Sequence, residues 1–273
     1  MSGVTLTVRH PPRQRLDLSP LLPERLAGLD APTIGAIEVA CGNRRLRVDA
    51  VFEVGAGETG ELRIRNRDAR LDFVGHGMAS GRITVEGEAG AYAGLAMTGG
   101  HLTIQGHAGA FAGAAMRAGI IEIAGNAGDF LGGGLPGERR GMAGGLILVR
   151  GDAGDRAGDR QRRGTILIEG RAGDYLGARM VAGTTIVLGG EVGLYPGFAM
   201  KRGTILLLGR ARRLLPTFAD CGLHELGFLR LFAAALRTHS TRLADALPRQ
   251  EQVRRLVGDA GAGGKGEILL AGN

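Results

Sequence analysis

A glycine-marked unit recurs from residue 81 onward, and it constrains the fold more than any other feature of the chain. The copies read GRITVEGEAGAYAGLAMTG, GHLTIQGHAGAFAGAAMRA, GIIEIAGNAGDFLG with an enlarged GGLPGERRGMAG, GLILVRGDAGDRAGDRQRR, GTILIEGRAGDYLGARMVA and GTTIVLGGEVGLYPGFAMKR, closed by a truncated GTILLLGRA. They open at Gly81, Gly100, Gly119, Gly145, Gly164, Gly183 and Gly203, with spacings of 19, 19, 26, 19, 19 and 20 residues. A degenerate earlier copy begins near Gly60. The template is G-x-[IL]-x-[IV]-x-G-x-[AV]-G-x-[aromatic]-x-G-x-x-M. Self-similarity at a fixed period of this size marks an architecture of stacked repeats.

Each copy holds a short alternating run, such as Ile83/Val85, Leu102/Ile104, Ile121/Ile123 and Ile166/Ile168, which reads as a strand. No helix of crossover length separates these runs, which excludes a βαβ fold. The physical solution is a parallel stack, one coil per copy, with equivalent strands about 4.8 Å apart. Inward Ile, Val and Leu form one ladder, and Ala89, Ala108, Ala127, Ala153 and Ala172 a second. The aromatic position (Tyr92, Phe111, Phe130, Tyr175, Tyr195) and the methionine position (Met97, Met116, Met142, Met180, Met200) supply two more. Methionine fills irregular interiors well, so its stripe reads as core rather than as a metal box. Glycines turn corners that need positive φ, or let coils approach closely. No six-residue apolar period is present, which sets aside the left-handed hexapeptide β-helix.

The expected organisation is an N-terminal β cap segment over 1–58, a Gly-rich β-helix over 59–212, and a C-terminal helix and tail over 213–273. The cap holds Val4, Leu6 and Val8, a connector with Pro11, Pro12, Pro20 and Pro23, and a strand–turn–strand pattern in IEVACGNRRLRV. A cap is required because an open coil exposes unpaired edges. Residues 221–247 read as a helix, with Leu226, Leu229, Ala233 and Leu236 on one face. The Gly-rich tail GDAGAGGKGE reads as mobile, with EILLAG free to pair.

Two neighbouring copies depart from the template. One gains seven residues, LPGERRG, and the next replaces its aromatic by Arg156 and its methionine by Gln161. Arg139, Arg140, Arg150, Arg156, Arg160, Arg162 and Arg163 cluster here, against Glu138, Asp152, Asp155 and Asp159. Adjacent repeats are neighbours in space, so two readings stand: a solvated loop with internal ion pairs, or an edge that binds an acidic partner or a polyanion. The chain carries a formal charge of +7, and Lys201 and Lys265 are its only lysines. Arginine use of this kind also follows from a GC-rich genome. The cations are not interleaved with aromatics, so nucleic acid is not expected.

No chemistry-bearing constellation emerges. His10, His76, His101, His107, His224 and His239 show no metal-ligand spacing, and Cys41 and Cys221 form no CxxC. No GxSxG is present. Fifty glycines make GxGxxG matches unavoidable, and none follows a strand and opens a helix. Asp129, Asp155 and Asp174 share one template position, as acids do in the grooves of β-helical polysaccharide enzymes, but solvent-facing turn residues are the simpler account. No metal and no catalytic residue is assigned. The lack of a signal core and of an apolar run near 18 residues points to a cytoplasmic protein without a membrane span.

The G-x-x-G-x-[YF]-x-G-x-x-M coils resemble the Gly-rich domain of glutamate synthase large subunits. They are more similar still to the C component of formylmethanofuran dehydrogenase. IEVACGNRRLRVDAVFEVGAG before the coils and LLPTFADCGLHELGFLRLFAAAL after them are similar to that component's flanks, so the resemblance covers about residues 30–238. The Arg-rich, Lys-poor chain looks bacterial, and bacterial relatives belong to the formyltransferase/hydrolase complex of methylotrophs. The resemblance implies an all-β, right-handed parallel β-helix of about seven to eight ~19-residue coils. It also implies a non-catalytic scaffold subunit of a complex that converts formyl-tetrahydromethanopterin to formate through formyl-methanofuran. The chemistry would belong to an amidohydrolase-like hydrolase subunit and a formyltransferase subunit, with one further subunit present. Methanofuran, tetrahydromethanopterin and metal are then expected in those partners and none in this chain; the arginine edge could hold the glutamyl tail of the carrier. The C component of a formylmethanofuran dehydrogenase, a stand-alone β-helix enzyme acting on acidic polysaccharide, and a structural domain like that of glutamate synthase remain open.

Overall fold

The structure is a computed structural model that describes every residue except 1–2, 12, 67–69, 182–183, 247–251 and 272–273. The expected repeat start Gly183, Pro12 of the connector and Leu247 at the end of the expected helix lie outside the described residues. A 13-stranded sheet dominates the rest. Its middle is parallel and follows the repeat: Glu61–Arg65, Arg82–Glu86, Thr98–Ile104, Ala118–Ile123, Ala143–Val149, Arg163–Ile168, Thr184–Leu188 and Thr204–Leu207 lie side by side. The register matches template position to template position, as in Ile83↔Leu102, Leu102↔Ile121 and Ile147↔Ile166. A second line of parallel bridges joins Ala89, Ala108, Ala127, Ala153, Ala172 and Val192.

The expectation of one all-β, right-handed parallel β-helix is corrected. Three sheets are present among the described residues, two of them mixed, together with five α-helices. Gly3–Val8 lies parallel to Glu61–Arg65, but Phe52–Gly57 pairs with it antiparallel at the sheet's edge. At the other end Gly266–Leu270 lies parallel to Thr204–Leu207, and Gln252–Gly258 and Ala219–Glu225 then add antiparallel. Arg44–Arg47, Glu38–Cys41, Leu16–Asp17 and Leu71–Asp72 form a second sheet, and Val192–Leu194 with Ala211–Arg213 a third. The helices are α1 (Pro23–Leu26), α2 (Ala31–Ala36), α3 (Val48–Val51), α4 (Phe228–Leu236) and α5 (Thr241–Ala246). The cause is the open ends: a terminal strand leaves a row of amides and carbonyls unpaired, and the flanks satisfy it by folding back as antiparallel strands.

Two further expectations change. Within 221–247, residues up to Glu225 extend the strand Ala219–Glu225, and the helix begins only at Phe228. The glycine-rich tail is ordered around Gln252–Gly258 and Gly266–Leu270, with Asp259 accepting the Gly261 amide at 3.0 Å.

Two cores hold this frame. Inside the stack, Ile83, Val85, Leu102, Ile104, Ile121, Ile123, Ile147, Val149, Ile166 and Ile168 are fully buried, as are Met78, Met97, Met116, Met142, Met180 and Met200. On the outer face of the same strands, Leu148, Leu167 and Leu206 pack against Leu229, Ala233, Leu236, Leu243 and Ala244 of α4 and α5. The signal for the second core was in the sequence. The fourth template position is Thr84, Thr103 and Glu122 early in the chain but Leu148, Leu167 and Leu206 later. An outward apolar row on a strand needs a cover.

Glycine acts in two ways. Gly100 turns with φ +75°, where a Cβ would also meet the Gly81 carbonyl. Gly144 has ordinary φ, but a Cβ would overlap the Arg117 carbonyl oxygen of the preceding repeat. The aromatic position is left-handed too, without glycine: Tyr92, Phe111 and Phe130 have φ of 63°, 61° and 59°. A non-glycine residue holds such a conformation only where its surroundings over-determine it. Arg156 takes the same conformation (φ 58°) without a ring. The shared constraint is a backbone bond to the next repeat, as from the Phe111 amide to the Asp129 carbonyl at 2.8 Å and the Arg156 amide to the Asp174 carbonyl at 2.8 Å. The rings stack on this frame, with centroids 4.8–5.3 Å apart from Phe73 through Tyr92 and Phe111 to Phe130.

Candidate functional site

The residue after each buried methionine position sets one corner of the stack. Its amide donates to the carbonyl of the preceding repeat's methionine position: Arg117 to Met97 at 2.8 Å, Ala143 to Met116 at 2.7 Å, Arg162 to Met142 at 2.8 Å, Val181 to Gln161 at 2.9 Å and Lys201 to Met180 at 2.8 Å. The Lys265 amide continues the row onto the Lys201 carbonyl at 2.8 Å. Arg117, Lys201 and Lys265 are exposed, and so are Arg163 and Arg202, one residue further along. Arg162 is half-buried, and its Nε is buried without a hydrogen-bond partner.

The inserted segment stands against this corner. Gly134 donates to the Asp159 carbonyl at 3.1 Å and Gly141 to the Arg160 carbonyl at 2.9 Å. Arg160 donates to the Glu138 carbonyl at 2.6 Å, which ties down the base of the loop that exposes Arg139 and Arg140. Asp159 is buried, accepts from Arg179 at 2.8 and 2.9 Å, and lies 3.9 Å from the Arg160 Nε. Gln161 replaces methionine in the core and donates to the Gly164 carbonyl at 3.0 Å.

Five of the seven expected arginines therefore share one region: Arg139, Arg140, Arg160, Arg162 and Arg163. The other two do not. Arg156 sits in the aromatic column, its guanidinium 5.9 Å from the Phe130 centroid and 4.9 Å from that of Tyr175. Arg150 lies at the far end of its strand, paired with buried Glu169 and donating to the His239 carbonyl at 2.8 Å. Arg117, Lys201, Arg202 and Lys265 join the edge instead. The signal that would have found three of them is positional: each lies one or two places after a methionine of the template. Lys265 is joined only by tertiary pairing. Among the described residues, Arg117, Arg139, Arg140, Arg162, Arg163, Lys201, Arg202 and Lys265 pair with no acid side chain.

The aspartate row is engaged in holding repeat to repeat. Asp129 accepts the Asp155 amide at 2.8 Å, Asp155 the Asp174 amide at 2.7 Å, and Asp174 the Leu194 amide at 2.7 Å. Next to it, the Arg171 amide on Asp152, aided by the Arg171 guanidinium, holds that carboxyl below the usual carboxylate range. Among the described residues no three His, Cys, Asp or Glu side chains are grouped to hold a metal, and no helix is long and apolar enough to cross a membrane.

A second surface feature lies at the C-terminal side. Ala219–Glu225 is the outer strand of the large sheet. Leu223 within it and Phe228 and Leu231 of α4 are 64%, 49% and 77% exposed, too open for residues of this size to be packed within the chain.

No family model matches the chain. Over 86 residues it is 40% identical to the C component of the formyltransferase/hydrolase complex of Methylorubrum extorquens, covering 32% of each chain. Over 97 residues it is 31% identical to the C component of a tungsten-containing formylmethanofuran dehydrogenase of Methanococcus maripaludis, covering 35% of this chain and 36% of that one. The matched segment thus spans about a third of these curated relatives. The structural likeness is wider. A chain in the crystal structure of the formyltransferase/hydrolase complex from Methylorubrum extorquens, in complex with methylofuran, superposes with a TM-score of 0.91 at 37% identity, covering 98% of this chain and 100% of that one.

Proposed function

This chain belongs to the family of the C component of the formyltransferase/hydrolase complex, and we propose that it is the non-catalytic scaffold subunit of such a complex in the cytoplasm. The observation that carries this reading is the correspondence over the whole chain with a component of that assembly. In this reading a hydrolase subunit, a formyltransferase subunit and a further subunit are its partners. Together they take the formyl group of formyl-tetrahydromethanopterin to formate through a furan carrier of the methanofuran type. The carrier, the pterin and any metal sit in the partners.

Two features of the chain support it. The stacked carboxylates that could have formed a polysaccharide-cleaving groove are engaged on backbone amides. The open strand Ala219–Glu225 and the exposed apolar side chains on it and on α4 offer a surface that an isolated chain leaves wet.

The test is native purification of the full-length tagged chain from its own organism, with mass spectrometry of what accompanies it. Hydrolase and formyltransferase subunits in fixed ratio, with formyl-group hydrolysis in the purified assembly, are expected. A lone chain refutes the proposal. Tungsten in the assembly would favour the dehydrogenase reading, which the Methanococcus maripaludis match keeps in play.

A further inference from the structure

We propose that the basic edge is a docking surface for an acidic protein face, lined by Asp and Glu, on another subunit. The inference rests on the reading of this chain as a subunit, and goes beyond it by naming one surface and its chemistry.

Cations recur at every second step of this corner, Arg117, Arg162 and Lys201 alternating with Ala143 and Val181, and Lys265 follows Lys201 directly. Arg117, Arg162, Lys201 and Lys265 are fixed to it by backbone bonds of 2.8 Å. Lys201 and Lys265, the adjacent pair in this row, repel one another, and among the described residues neither pairs with an acid side chain. A facing row of carboxylates offsets that repulsion and pairs the exposed cations that have no acid beside them.

Three observations favour a protein face over other anions. From Arg117 to Lys265 the row takes five repeat-to-repeat steps, roughly 24 Å at about 4.8 Å per step, far longer than a single phosphate or carboxylate. The guanidinium fork matches carboxylate oxygens two at a time. The row lacks the succession of aromatic rings on which bases stack. The exposed cations Arg117, Arg139, Arg140, Arg163, Lys201, Arg202 and Lys265 make the charged rim from which a protein contact is steered.

Arg160 fastens the inserted loop through the Glu138 carbonyl, so Arg139 and Arg140 extend the edge from a held base. Charges presented this way steer a partner and raise its rate of encounter.

Carbodiimide cross-linking of the native assembly tests the proposal directly, because the only two lysines of the chain, Lys201 and Lys265, both lie on this edge. Cross-links from either lysine to Asp or Glu of another subunit are expected. If both lysines take an amine reagent in the assembly as fast as in the isolated chain, the proposal fails. The second arm compares wild type with the Arg117→Glu/Lys201→Glu double variant, both positions being exposed. Circular dichroism and thermal melting check its fold, and Arg44→Glu serves as the control. The double variant should assemble at least tenfold more weakly and lose most of the salt dependence that the wild type shows. Unchanged affinity and salt dependence overturn the docking edge and leave the subunit reading standing. Failure of the wild type to assemble overturns both. Tight binding of a 20-nucleotide single strand at physiological salt, with assembly unaffected by the substitutions, overturns the protein partner in favour of nucleic acid.

Discussion

The Arg156 guanidinium lies 4.9 Å from the centroid of the Tyr175 ring. It also lies 5.9 Å from the Phe130 centroid, so it bridges the one place where the aromatic column lacks a ring. Phe73, Tyr92, Phe111 and Phe130 stack below it, and Tyr175 and Tyr195 continue 6.0 Å apart above it.

Arg156 is therefore expected to act in stability. Arg156→Ala removes two cation–π contacts and should cost about 1 kcal/mol, a fall of about 2–4 °C in thermal midpoint for a chain of this size. Arg156→Tyr restores a ring and should melt within a degree of wild type. If the alanine variant melts with the wild type, the stacking account fails.

The close approach at Gly144 yields a sharper contrast. A methyl there overlaps the Arg117 carbonyl, backbone that cannot yield without shifting a repeat. Gly144→Ala should destabilise by about 1–3 kcal/mol, the range for overpacking. Gly227→Ala, with open space around its Cβ and ordinary φ, should change stability by less than about 0.5 kcal/mol. Urea unfolding midpoints of the pair decide the matter.

Glu169 holds the α4–α5 turn to the sheet. Its carboxylate accepts from buried Ser240 at 2.6 Å, and Ser240 Oγ accepts the Leu243 amide at 3.2 Å, while Arg150 pairs with the same carboxylate. Glu169→Ala leaves Ser240 unsatisfied and should cost about 1–3 kcal/mol. Hydrogen exchange should rise selectively across residues 228–246, with the strands of the stack protected as before. Uniform loss of protection would contradict this placing of the effect.

His101 ties stability to pH. Burial lowers its pKa below the ordinary 6.5, against the opposing pull of Glu122, whose carboxylate lies 3.6 Å away; Arg82 and His239 add to the lowering. The unfolded chain then binds the proton first as pH falls. Stability contributed here is complete above about pH 6.5 and declines below it, down to the folded-state value. The thermal midpoint should therefore fall between pH 7.5 and pH 5, and His101→Gln should flatten that part of the curve. A curve of the same slope in the variant would assign the effect elsewhere.

Much of the fold was legible because a repeat is a local code copied many times. Ile83 over Leu102 over Ile121 follows from apolar alternation plus a 19-residue period, since one register places every buried residue on its copy. The methionine row and the alanine row were legible for the same reason. The antiparallel ends were not, because no copy exists to compare them with. Lys265 next to Lys201 joins residues 64 positions apart through the return of the C-terminal strand. The seven arginines looked like one cluster because sequence neighbours in adjacent repeats are close. Their template positions differ, however, and a repeat turns corners, so Arg150 and Arg156 point to other sides.

By itself the sequence determined that the repeats stack, which side chains form the inner core, and that glycine marks the tight places. These follow from short-range sterics and from apolar periodicity, both readable along the chain. Only the tertiary structure decided how the ends close, that α4 and α5 cover Leu148, Leu167 and Leu206, and which cations share an edge. Those outcomes depend on hydrogen bonds and burial between segments far apart in the chain, where loop entropy is small beside the cost of unpaired edges and wet apolar rows, and no local pattern encodes the pairing.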